Sequence, residues 1–348
     1  MEQALEICFV RDKKGQLVKM CRSPEYNYMF NLDNGYFLRW GKTETDDPEM
    51  APGPEILDIE VTTICANGCP FCYKGNTANG KNMSFETFKQ ILDRFPPTLT
   101  QLAFGADASA TSNPDLFKMA EYARSRFVVP NITVANISNE TADRLSKLMG
   151  AVAVSRYANK EPCYDSIKRL TSRGMRQVNI HNMICEETFD QTIETIYDMK
   201  HDPRLADMNA LVMLSLKRKG RGEHGFTPLS QDRFNELVSE AQKAGINYGF
   251  DSCGSSKFLS FLEKNDPMNR KQLEMSVEPC ESGLFSTYVN VDGIYTACSF
   301  CENTPFWSEG IDIKSVTNFT KEVWMNPKVI EWRKLLLEKG RNCPIYDV

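Results

Sequence analysis

Apolar and polar positions fall into three successive regimes along the chain. Over residues 1–50 short alternating runs come in pairs. Leu5–Arg11 and Gln16–Cys21 flank a Lys-Lys-Gly turn, and Tyr26–Phe30 and Tyr36–Trp40 flank Asp33-Asn34-Gly35. Asn-Gly supplies the positive φ angles of a tight turn, so this spacing predicts an N-terminal β-hairpin extension. Gly41–Pro54 is polar and proline-containing and reads as a linker.

From residue 55 short apolar runs alternate with helical periodicity. The runs are Ile56–Val61, Gln101–Phe104, Ile132–Ala135, Ala151–Ser155, Gln177–His181 and Ala210–Leu216. Ser84 precedes Phe85, Phe88, Leu92 and Phe95, one apolar face behind a helix-capping residue. Asn113-Pro114 predicts another helix start, and Gly150, Gly174 and Gly245 predict left-handed helix ends. Six βα units follow, with Ile246–Phe250 as a candidate seventh strand. Repeated βα order implies an α/β fold with a parallel sheet, whether open and doubly wound or rolled into a full or partial barrel. After residue 251 the pattern breaks. A helix over Lys257–Lys264, a hairpin of Ser286–Val291 and Ile294–Cys298 around Asp292-Gly293, and a last helix over Pro327–Glu338 are expected in a small, separate, cysteine-rich module. The divisions drawn are 1–50, 51–252 and 253–348.

Charge and composition narrow the function classes. The formal net charge of −5 argues against a broadly basic nucleic-acid binder. The first residues, MEQALEICFVRDKKGQ, carry charges throughout and lack the apolar core of a secretory signal. No window resembles the ~20 apolar residues of a membrane span. A cytoplasmic protein with no nucleic-acid and no membrane partner is expected. In that compartment twelve cysteines point to metal rather than disulfides.

The cysteines themselves sharpen this. Cys65-Ala-Asn-Gly-Cys69-Pro-Phe-Cys72 directly follows the first strand of the βα series. Three thiolates on one loop can bind three irons of a cubane cluster and leave the fourth iron open; a zinc loop or buried free thiols are the plainer readings. This Cys-x3-Cys-x2-Cys spacing, with Phe71 before the last cysteine, resembles the signature of the radical S-adenosylmethionine superfamily. The resemblance implies a partial (β/α)6 TIM-like barrel and a 4Fe–4S cluster whose open iron is chelated by S-adenosylmethionine. It also implies an external one-electron donor of flavodoxin or ferredoxin type. Reductive cleavage would yield a 5′-deoxyadenosyl radical that abstracts a substrate hydrogen.

The tail carries a second resemblance. Cys280-x12-Gly293-x4-Cys298 is similar to the opening of SPASM and twitch extensions, which hold auxiliary iron–sulfur clusters. Cys301 and Cys343 would complete four ligands for one auxiliary 4Fe–4S cluster; four thiolates around zinc remain the alternative. Cys253, after the last strand, stands open as a ligand, a hydrogen donor or a packed thiol.

In barrel folds the strands' carboxyl ends assemble the site. Gly105 and Asp107 follow strand two, where the family has a Gly-Gly-Glu-Pro-like segment that contacts the methionine amino group. The sequence departs from that segment, with Asp107 in the glutamate's stead. Asn136 after strand three, and Ser155 and Arg156 at the end of strand four, resemble cofactor-binding polar residues, with surface arginine the plain reading of Arg156. His181 ends strand five, where a satisfied structural histidine is the plainer reading beside a cofactor-binding one. Lys217 opens the basic run Lys217–Gly222, either an anion-binding loop or solvated surface.

The function these readings imply is radical chemistry on an organic substrate. Peptide or protein modification (oxidation, cross-linking or epimerisation) leads, with dehydrogenation or other modification of a small metabolite as the alternative. No peptide-binding winged helix is evident at the N-terminus. The competing class is a non-catalytic iron–sulfur electron carrier or redox sensor, for which six βα units around a cavity would be superfluous.

Overall fold

The structure, a computed structural model, describes residues 5–268 and 270–348; residues 1–4 of the expected hairpin extension and residue 269 of the expected tail lie outside the described residues. Strands β1 (Glu6–Arg11), β2 (Leu17–Arg22), β3 (Asn27–Asn31) and β4 (Phe37–Trp40) form an antiparallel sheet in chain order, as the two turns dictate. Tyr26, Tyr28 and Phe30 are buried from this sheet in a small core that also takes in Leu284, Phe285 and Leu336 from the C-terminal part of the chain.

The larger sheet is parallel from β5 (Ile56–Glu60) through β6 (Gln101–Gly105), β7 (Val129–Val134), β8 (Val152–Ser155), β9 (Val178–Ile184), β10 (Ala210–Ser215) and β11 (Tyr248–Phe250). Helices α1 (Phe85–Leu92), α2 (Leu116–Ser125), α3 (Asn139–Leu148), α4 (Glu161–Thr171), α5 (Phe189–His201) and α6 (Gln231–Ala244) supply the crossovers. Alternation sorts the strand side chains. Leu57, Ile59, Leu102, Phe104, Ile132, Val134, Val178 and Ile180 join the core beneath the helices. The opposite set, from Asp58 on β5 to Leu214 on β10, lines one shared cavity. Strands that far apart share a cavity because the sheet curls. No pairing joins β11 to the far edge among the described residues, so the barrel is partial.

Helix starts follow local chemistry. The Ser84, Ser138 and Ser230 side chains accept from the backbone N–H three residues on, at the starts of α1, α3 and α6. Gly245 takes the left-handed conformation after α6 (φ 62°), as expected. One local expectation differs. Gly150 is not a left-handed cap: α3 ends at extended Met149, and a Cβ on Gly150 would stand 2.3 Å from Val129 Cγ1, so close packing requires the glycine. Asn113-Pro114 leads into α2, whose first helical residue is Leu116: the Asn113 side-chain oxygen accepts from the Asp115 N–H (2.9 Å), and its amide donates to the carbonyls of Val61 (2.7 Å) and Met83 (3.0 Å), tying β5 to the approach of α1.

The tail is less separate than its composition suggests. After α7 (Ser255–Asn265) and a short α8 (Arg270–Glu274), β12 (Ser286–Val289) pairs in parallel with β5, then β13 (Ile294–Thr296) and β14 (Ile311–Asp312) continue the main sheet antiparallel. The predicted hairpin is present, but its first strand completes the barrel wall beside β5. Helix α9 (Pro327–Glu338) starts with proline behind the capping side chain of Asn326 and buries Trp332 in the common core.

Candidate active site

The cavity, about 510 Å³, opens at the carboxyl ends of the parallel strands. Cys65, Cys69 and Cys72 are half-buried on the loop after β5 and all three line it. The loop is held by its own backbone: Cys65 N–H donates to the Thr77 carbonyl (2.7 Å) and Cys72 N–H to that of Cys69 (3.3 Å), with Gly68 at positive φ. Phe71 stacks on Tyr157 with ring centroids 5.6 Å apart and meets Phe226 edge-on. The Tyr157 hydroxyl and Cys69 Sγ are hydrogen-bonded at 3.0 Å. Burial, then the Cys69 thiol, hold the Tyr157 phenol well above its usual pKa, so it stays protonated.

The other expected residues divide. Gly105, Ser155, His181 and Lys217 line the cavity with Phe71. Burial pushes the His181 pKa down to about 4, only partly opposed by Asp251, so its ring is neutral at pH 7. Burial opposes the Lys217 charge, but Asp251, to which its ammonium donates, and Cys253 outweigh that and raise its pKa. Asp107, Asn136 and Arg156 do not line the cavity. The Asp107 carboxylate is consumed by its own turn, accepting from the backbone N–H groups of Ser109, Thr111 and Ser112. Asn136 is exposed, just beyond Ala135, which does line it. Arg156 follows Ser155 and therefore points to the opposite side of the sheet; it is buried and donates to Glu194 of α5 at 2.7 Å, which contradicts a carboxylate-binding role.

Cys280, Cys298, Cys301 and Cys343 gather from distant parts of the tail. Burial, then Cys298, Cys343 and Cys280, hold the Cys301 thiol well above its usual pKa, whereas a hydrogen bond with Cys301 lowers that of Cys298. Cys280 N–H donates to the Arg341 carbonyl (3.2 Å), which brings the chain end to this group. Cys253 does not line the cavity. Burial raises its thiol pKa against the opposing pull of Lys217, with Cys280 and Cys298 adding to the rise, so it sits between that lysine and the tail cysteines. Among the described residues no three Cys, His, Asp or Glu side chains close up into a site for a single metal ion. Both cysteine sets are all-thiol, the donor chemistry that iron–sulfur clusters use and that zinc also accepts.

The basic run proves to be a bracket between the two cysteine loops. Arg221 donates to the carbonyls of Cys69 (2.7 Å) and Asn76 (3.0 Å). Lys219 donates to those of Ser299, Phe300 and Glu302, at 3.2, 3.1 and 2.7 Å. Gly220 has positive φ, and a Cβ there would stand 2.4 Å from the Tyr73 carbonyl oxygen, so only glycine allows the approach. Tyr73 packs on Phe300 (4.3 Å), and Lys74 binds Glu60 (3.1 Å), Glu302 and the Tyr288 hydroxyl. Sequence reasoning missed Tyr157, Asp58, the Glu60–Lys74 pair and Asp251. The spacing held a signal for the first two: Asp58 and Glu60 alternate with Leu57 and Ile59, and Tyr157 follows Ser155 by two.

No family model matches the sequence, and no curated protein does. Solved structures do resemble the chain in fold. SuiB of Streptococcus suis bound to precursor peptide SuiA superposes with TM-score 0.66 at 11% identity, over 88% of this chain and 87% of that one. SuiB bound to S-adenosylmethionine gives 0.65 at 12%, over 96% and 91%. BtrN in complex with AdoMet and 2-DOIA reaches only 0.43 at 13%, over 85% and 93%, too slight a likeness to weigh. The chain therefore shares its partial-barrel fold with SuiB.

Proposed function

We propose that the chain is a radical S-adenosylmethionine enzyme that modifies a peptide or protein. The observation that carries this reading is the loop of Cys65, Cys69 and Cys72, whose three thiols open onto a cavity of cofactor size at the carboxyl ends of the strands. These cysteines would hold a 4Fe–4S cluster, and Cys280, Cys298, Cys301 and Cys343 an auxiliary one. When bound, the first cluster and S-adenosylmethionine supply one-electron cleavage to a carbon radical that takes a hydrogen from substrate.

The chain's own residues prepare that chemistry. Once Cys69 gives its proton up to metal, only the Tyr157 hydroxyl can donate across their 3.0 Å contact, which orients and tunes the sulfur. Phe71 and Tyr157 stack as an apolar wall beside Cys69 and Cys72 at the cavity's edge. Gly105, Ala106 and Ala108 leave room at the end of β6 for a flat ligand. Neutral His181 offers hydrogen bonds without charge.

The peptide assignment is supported by the fold of SuiB over most of both chains, since that protein was captured with a precursor peptide. The test is anaerobic reconstitution followed by dithionite and S-adenosylmethionine. Formation of 5′-deoxyadenosine is expected; an intact, reduced cluster that yields none overturns the enzyme reading. Hydrogen abstraction from a small metabolite but from no peptide would overturn the substrate class.

A further inference from the structure

The cavity contains one carboxylate that the proposed cofactor chemistry does not use. On β5, Leu57 and Ile59 turn to the helices, and Asp58 and Glu60 face inward. Asp58 lies between its register partners Ala103 of β6 and Tyr288 of β12. Ala103 offers no polar group, and the Tyr288 hydroxyl already accepts from Lys74 at 2.7 Å.

Charges around the cavity are otherwise matched. Glu60 has Lys74 at 3.1 Å and the Val291 N–H at 3.2 Å, and Asp251 has Lys217. Three lining carboxylates thus face two ammonium groups, both already committed. His181 is neutral, and its Nδ1 lies 3.4 Å from the Thr133 hydroxyl. Asp58 has neither hydrogen bond nor counter-charge among the described residues, and burial alone pushes its carboxyl up to about 6. Such a group is still largely ionised at neutral pH. An ionised carboxylate without a partner inside a protein is costly, and a partner of opposite charge removes that cost.

We infer that Asp58 anchors a positively charged nitrogen group of the substrate, an ammonium or guanidinium, inside the barrel. A hydroxyl would supply a hydrogen bond but leave the charge uncompensated, and an acidic ligand would be repelled. The inference deepens the proposed function and rests on it for the word substrate; the binding itself requires no turnover.

The probes are n-butylammonium, n-butanol and butyrate, matched in chain length, titrated into the reconstituted full chain at neutral pH and followed by ligand-observed NMR. One saturable site should prefer n-butylammonium to n-butanol by about tenfold or more, as expected for a charge-assisted hydrogen bond, with butyrate weakest. Asp58→Asn should abolish the preference. Equal binding of the ammonium and the alcohol by the wild-type chain, or a preference retained in a folded Asp58→Asn, overturns the inference. Should the variant lose its thermal transition, the wild-type ranking decides alone. A wild-type chain that selects the ammonium yet makes no 5′-deoxyadenosine overturns the enzyme reading and leaves this site standing.

Discussion

The two cysteine sets differ in how the chain supplies them. Cys65, Cys69 and Cys72 come from one loop, remain half-buried, and face a cavity. Cys280, Cys298, Cys301 and Cys343 come from three separated segments, and they meet only when the β12–β13 hairpin and the chain end have packed. The first set needs little tertiary structure to bring its thiols together, and under the proposed function it would leave a coordination position open, as reactive metal sites do. The second would bring enough thiols to close one, and its ligation would be coupled to folding of the tail. On that proposal the contrast is between a reactive site and a structural one, joined by the bracket of Lys219 and Arg221.

The sharpest way to break this contrast is to remove one ligand from each set. Cys65→Ala should cut 5′-deoxyadenosine formation by more than ~100-fold, beyond the usual cost of losing a merely supporting residue. Its iron content should fall from about eight to about four per chain while the melting transition hardly moves. Cys298→Ser should reverse the emphasis. Losing a buried metal ligand belongs among the large destabilising mechanisms, at about 3 kcal/mol, measurable by denaturant unfolding. Four irons with one zinc in the unaltered chain would refute the auxiliary cluster.

Smaller changes sharpen the comparison. Tyr157→Phe keeps the stacking on Phe71 but removes the hydroxyl on Cys69, leaving the Asn67 amide as its donor, so activity should fall ~10–100-fold with unchanged stability. An altered electron paramagnetic resonance signal of the reduced first cluster should accompany the loss, and an unaltered one would count against the role. Lys219→Met strands three carbonyls of the tail loop. It should cost about 1–2 kcal/mol of stability, with a modest loss of activity as the loops drift apart.

How much was legible follows from what each feature depends on. The βα order was readable because a parallel strand buried beneath helices must be apolar and a crossover helix must be amphipathic, as Leu57/Ile59 and Phe88/Ile91 show. The final helix was placed at Pro327–Glu338 because proline and Asn326 mark its start. Asp107 misled because a carboxylate after a strand looks the same whether it faces a ligand or closes its own turn. Arg156 misled because its side of the sheet depends on strand register, which a one-residue shift inverts.

The sequence by itself determined the alternation of elements, the ligand loop after the first parallel strand, and the hairpin that carries Cys298 back toward Cys280. These rest on interactions within a few residues or on periodicity. Only the tertiary structure decided that β12 pairs with β5, that Lys217–Gly222 ties two cysteine loops together, and that Asp58 is left without a counter-charge in the cavity. Each of those depends on which distant backbone or charge arrives opposite a side chain, and strand order and curl fix that, not spacing along the chain.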